Sequence, residues 1–187
     1  MTKKTILIAI AITAGVLLLF AILWFLNFTG QFHLYRDKAY GFSIKFPKHW
    51  QVISHPQPGG AVVFVSPKET AMDAFQENVN IAVQDVPPGI ATLKTFSDQI
   101  LLQMSKVFTN LKVTESKAIT FGGRSGYRVL FAAEKPDAIR ILNVWTIKSG
   151  STAYILTYMA AARQYKAYLP LVEEMIKSFR LEILPRN

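Results

Sequence analysis

The chain has 187 residues, 51% of them hydrophobic and 18% charged, with 21 Lys and Arg against 12 Asp and Glu and no Cys. That length holds one domain plus an accessory segment, and the lack of Cys excludes disulfides, a thiol nucleophile and lipid attachment to cysteine. Over residues 31–187 the cations stand singly, without a Lys/Arg run, which argues against nucleic acid as a partner.

The apolar excess has one source. Residues 5–26, "TILIAIAITAGVLLLFAILWFL", hold no charge in 22 positions, enough at about 1.5 Å per residue to cross a bilayer core of roughly 30 Å. Signal-peptide cores are shorter and end at small residues. This run ends in "LWFLNFTGQ", so it is expected to be an uncleaved signal anchor with Trp24 and Phe25 at the far interface. Lys3 and Lys4 flank it on the N-terminal side, which favours a cytoplasmic N-terminus (1–4) and an exported C-terminal domain. Arg36, Lys38, Lys45 and Lys48 follow the span, but long folded domains translocate largely regardless of charge. The expected location is the cell (inner) membrane, single-pass, with the domain on the periplasmic or extracellular side.

Residues 27–34 form a linker, and a domain is expected over 35–184. "FSIKF" (42–46) alternates so that Phe42, Ile44 and Phe46 share a face, and Pro47 ends the strand because it has no N–H for a ladder. "QVISH" and "AVVFVSP" make two more strands across "PQPGG", and "NVNIAVQDV" a further one. Over 92–108 the period changes to 3.6, with Leu93, Phe96, Ile100, Met104, Val107 and Phe108 in one stripe and Thr92 or Thr95 as cap. Long β segments follow: "LKVTESKAITF", "SGYRVLFAAE", "AIRILNVWTIK" and "TAYILTYMA". The short separators "GGR", "KPD" and "SGS" make them antiparallel hairpins. Residues 164–179 are helical, with Pro170 at a first-turn position or a kink. Apolar residues on both faces of "IRILNVWTIK" require cover on both sides of the sheet. The fold class is α+β, a layered domain built on an antiparallel sheet.

The ordered set "YGFSIKFPKHWQV", "FVSP", "DAFQENVNIAV", a helix after "TL", "GGRSGYRVLF", "AYILTYMA" and a closing "MIKSF" resembles PsbP-like domains. The resemblance covers roughly 35–181. It implies an α/β/α sandwich around an antiparallel sheet, the fold shared by the extrinsic photosystem II subunit, Mog1-like proteins that bind Ran, and anchored bacterial proteins. It implies non-enzymatic binding or assembly, here by a membrane-anchored member that departs from the cleaved lumenal subunit.

The residues themselves offer little chemistry. His33, His49 and His55 are each isolated, no Gly-x-Ser-x-Gly is present, and Ser66 before Pro67 suits a turn. His49 and His55 lie about 20 Å apart along an extended chain, too far to share an ion. Asp73, Glu77 and Asn78 cluster in "MDAFQEN", which is taken as a solvated loop. "FGGRSGYR" (121–128) is a hairpin turn whose glycines supply positive φ. No catalytic residue, metal or cofactor is expected. The candidate partner contacts are Lys48, His49, Arg124 and Arg128, and the expected function is a membrane-anchored binding or assembly factor for an envelope or membrane protein complex. The alternative is a carrier or sensor of a small ligand, lipid or metal ion, in a cleft between sheet and helix.

Overall fold

The computed structural model describes residues 13–19, 31–57, 59–70, 73, 75–86, 92–107, 112–133, 139–148 and 151–182. The chain divides into two units, Met1–His33 and Leu34–Asn187. In the first, residues 13–19 are helical (α1) and exposed. The rest of the expected span at 5–26 lies outside the described residues, as do the "PPG" and "KPD" turns. Among the described residues no helix is long and apolar enough to cross a membrane.

The second unit carries the strand β1 (Phe32–Asp37) from Leu34 onward, and β2 (Phe42–Pro47), β3 (Gln51–Ser54), β4 (Gly60–Val65), β5 (Asn78–Asp85), β6 (Lys112–Phe121), β7 (Arg124–Ala133), β8 (Ile139–Lys148), β9 (Thr152–Ala161) and β10 (Arg180–Leu181). Two helices, α2 (Leu93–Val107) and α3 (Tyr165–Ser178), complete it. The strands form a seven-stranded sheet of order β3-β4-β5-β9-β8-β7-β6 and a three-stranded sheet of order β1-β2-β10. The ladders of the large sheet are all antiparallel. β5 jumps past three strands in sequence to pair with β9, Ile81 opposite Leu156, because its alternating Val79, Ile81 and Val83 need a buried face.

Alternation along β8 and β9 sends apolar side chains to both faces, and each face has its own cover. On one side, Phe96 and Ile100 of α2 bury against Val129, Phe131, Ile141, Trp145, Ala153 and Ile155. On the other, Leu142, Val144, Tyr154, Leu156 and Tyr158 lie under α3 and β2: Tyr158 stacks on Tyr165 at 5.3 Å and Tyr154 meets Phe42 edge-on at 6.3 Å. The unit is therefore an α/β/α sandwich whose third layer is α3 with the small sheet. Trp145, Phe131 and Tyr158 are fully buried, each contributing about 1.5–3 kcal/mol by area.

Three details differ from the sequence reading. β1 begins at Phe32, inside the segment taken as linker, because "FHLYRD" alternates Tyr35 and buried Asp37 inward with exposed Leu34 and Arg36 outward. β2 does not join the large sheet but pairs with β10, Ser43 opposite Arg180. Pro170 lies inside α3, past its first turn, so of the two readings given for it the first-turn position does not hold. The cap of α2 is as expected, since the Thr95 N–H donates to Thr92 Oγ1 at 3.0 Å.

Candidate functional site

The turn after β2 holds out two polar side chains. The Trp50 N–H donates to the Pro47 carbonyl at 3.0 Å, and the buried indole meets Tyr168 of α3 edge-on at 5.9 Å. That pin leaves Lys48 and His49 exposed at the tip. Arg124 stands exposed at another tip, after Gly122 and Gly123 with φ of 61° and 78°. There Phe121 stacks on Phe179 at 4.3 Å. A Cβ at Gly122 would meet the Phe179 ring at 3.0 Å, so this turn needs glycine for space as well as for φ. Tyr168 and Phe179 are eleven positions apart on α3 and its cap, about 16 Å along the axis. Lys48 and His49 thus lie at one end of α3 and Arg124 at the other, so the fold does not bring them into one site.

Arg128 is placed differently. Its side chain is 13% exposed, with Nε 2.9 Å from Glu115 Oε1 and a terminal nitrogen 2.8 Å from Glu173 Oε1. It ties β6, β7 and α3 together and does not stand at a tip, because β7 alternation turns it under α3.

The acidic stretch before β5 is a correction to the solvated-loop reading. Glu77 is only 1% exposed. Its carboxylate accepts from Ser66 Oγ and from the Ala161 N–H, both at 3.4 Å. Glu69 accepts from Gln164 and Tyr168 of the α3 N-terminus. The stretch folds onto the sheet because β5 must begin at Asn78 to pair with Met159. Among the described residues no group of three His, Asp or Glu could hold a metal ion.

Burial is the largest influence on Glu77 and raises its pKa above the ordinary 4.5, against the pull of its own N–H and that of Ala161. A raised carboxyl pKa means the folded state holds the proton more tightly, so stability falls as pH rises from 4.5 through the raised value. Glu77→Gln, neutral throughout, is expected to raise the urea midpoint at mildly alkaline pH and to leave it nearly unchanged at mildly acidic pH. Equal shifts at both pH values would show that ionisation of Glu77 costs the fold nothing.

Two further polar features were not legible in the sequence. Asp37 is buried and accepts from the Tyr40 N–H at 2.9 Å, and His55 Nε2 lies 3.5 Å from its other oxygen. His55 itself has φ of 49°, a conformation in which His is enriched. On the α2 side of the sheet, Asn80, Thr157 and Asn143 are in register across three strands. The Oδ1 atoms of both Asn residues are buried and without a partner.

A scan of protein families matches residues 30–181 to PsbP, while a search of curated proteins finds no similar sequence. Among solved structures, CyanoP from Synechocystis aligns at TM-score 0.61 and 15% identity, covering 81% of this chain and 92% of that one. LpqN of Mycobacterium tuberculosis, described as involved in cell envelope biogenesis, aligns at 0.59 and 11%, covering 82% and 91%. Mog1p, a Ran-binding protein of Saccharomyces cerevisiae, aligns at 0.58 and 9%, covering 80% and 95%. At these identities the structural likeness speaks to the fold alone. The family match runs from just before β1 to β10 and takes in the whole layered unit: the chain belongs to the PsbP family.

Proposed function

We propose that this chain is a non-enzymatic binding or assembly factor for a membrane or envelope protein complex, anchored by residues 5–26 with its PsbP domain exported. The observation that carries the reading is where the polar side chains go. Arg128, Glu77 and Asp37 are engaged within the fold, whereas Lys48, His49 and Arg124 stand exposed at turns. Binding residues are found disproportionately on loops that a scaffold positions. Both described helix–sheet seams are filled by side chains such as Phe96, Trp145 and Tyr158, which favours a surface partner over a ligand held between sheet and helix. Mog1p, with the same fold, is named as Ran-binding, and LpqN is named for envelope biogenesis. Both names agree with this class of role.

The absence of Cys makes the test direct. Single Cys variants at His49, Arg124 and Ser151 are expected to react with a membrane-impermeant maleimide in intact cells, Ser151 serving as the topology marker. With a short bifunctional reagent, His49→Cys or Arg124→Cys should give a discrete adduct with another protein, and Ser151→Cys should not. Labelling only after lysis would overturn the exported topology. Labelling in intact cells without any adduct would overturn the partner contacts while leaving the topology standing.

A further inference from the structure

The outward side of the third layer is unequal in charge. Leu34 and Arg36 face out from β1, opposite the inward Tyr35 and Asp37. On β2, Lys45 is exposed between buried Ile44 and Phe46, and Arg180, paired with Ser43, shares its side. On α3 the buried Tyr165, Val172, Met175 and Ile176 set one face, which leaves Lys166, Pro170, Glu174 and Lys177 on the other at helical spacing. The carboxylates here are Glu174 and Glu182. The first is 2.8 Å from Lys177 and the second 3.6 Å from Arg36. Lys45, Lys166 and Arg180 remain in excess, beside a Leu34 that is 52% exposed. On the outward side of α2 the imbalance is smaller: Lys94 is matched by Asp98 at 2.9 Å, and Lys106 alone is in excess.

We infer that this face docks on the anionic surface of a phospholipid bilayer, with Lys45, Lys166 and Arg180 against the headgroups and Leu34 in the interface. The inference rests on the anchored reading of residues 5–26, and it adds which face of the domain the membrane receives. Two arguments select lipid as the occupant. The first is charge: exposed cations around an exposed aliphatic residue complement an anionic, partly apolar interface. The second is reach. Leu34 follows Leu26, the last residue of the apolar run, by eight positions, a chain of at most about 28 Å when fully extended. Attraction to a charged surface fades over a Debye length of about 8 Å at physiological salt, so a face tethered this closely can use it.

The test takes the full chain reconstituted in vesicles of phosphatidylcholine, with or without about a quarter phosphatidylglycerol to supply negative charge. Two single-Cys variants are compared, at exposed Ala167 on α3 and exposed Gln103 on α2. With anionic lipid, a water-soluble maleimide is expected to modify Ala167→Cys about tenfold more slowly, and the slowing should disappear in high salt. Gln103→Cys should react equally fast in both vesicles. Reversing Lys45 and Lys166 to Glu should restore the fast rate at position 167, since each cation lost weakens docking about fivefold. Equal rates at position 167 in both vesicles, or slowing at position 103 instead, overturns the docking face while leaving the anchor intact. Failure of the chain to float with carbonate-washed vesicles overturns the anchored reading, and this inference with it.

Discussion

Replacing Phe179 by Ala is expected to destabilise the domain by about 3–5 kcal/mol, the range for deleting a fully buried ring. Phe179 has no exposed surface and ends α3, its N–H donating to the Met175 and Ile176 carbonyls. The ring stacks on Phe121 at 4.3 Å and lies 5.5 Å from Phe42 and 6.2 Å from Tyr154. Three pieces of the fold thereby meet on one side chain: the β6–β7 turn, the small sheet and the centre of the large sheet. A cavity there cannot collapse easily, because Phe121 is fixed by its own strand and Gly122 already sits against the ring. Urea denaturation should show the loss as a lower midpoint with an unchanged slope. Phe179→Leu should recover about half of it, since it restores volume but not stacking. A loss under about 1 kcal/mol for the Ala variant would mean that the two sheets are not coupled through this ring.

Replacing Arg128 by Ala is expected to cost about 2–3 kcal/mol. Removing one member of a fully buried ion pair costs about 3–5 kcal/mol, but Glu115 and Glu173 are each about a third exposed, and water screens what they lose. Lys117 stays 3.1 Å from Glu115, so the carboxylate left most exposed to the change is Glu173. Arg128→Lys should recover little, because one ammonium cannot serve acceptors on two elements as the planar guanidinium does. In a double-mutant cycle, Arg128→Ala with Glu173→Ala should give a coupling of about 1–2 kcal/mol. A coupling near zero would show that Arg128 acts only through the packing of its stem. Tyr165 gives a second readout. Burial pushes its hydroxyl up to about 12, with the Arg128 charge pulling the other way. Loss of that charge should therefore raise it further, visible in an alkaline ultraviolet titration.

The class of fold was legible because it depends on short-range pattern. The period of two in "FSIKF" and "NVNIAVQDV", the period of 3.6 after Thr92, and apolar residues on both sides of "IRILNVWTIK" specify strands, a helix and a sheet covered on both faces. The turn at Gly122 and Gly123 and the stop of β2 at Pro47 were legible for the same reason, since glycine φ and a Pro-ended strand are local facts. The candidate contacts were legible only in part. Lys48, His49 and Arg124 are at exposed tips as their turn residues imply, but Arg128, four positions after Arg124, is turned under α3 by the alternation of β7.

What the sequence by itself determined is the set of elements, the antiparallel hairpins and the long apolar run before them, all set by residues within a few positions of one another. What only the tertiary structure decided is which elements meet. It paired β5 with β9 and seated β2 beside α3 in a separate small sheet. It buried Glu77 against Ala161, and it aimed Arg128 at a carboxylate 45 residues away. Those choices come from filling two sheet faces at once while pairing most of the buried polar groups, a constraint on the whole chain with no local signature.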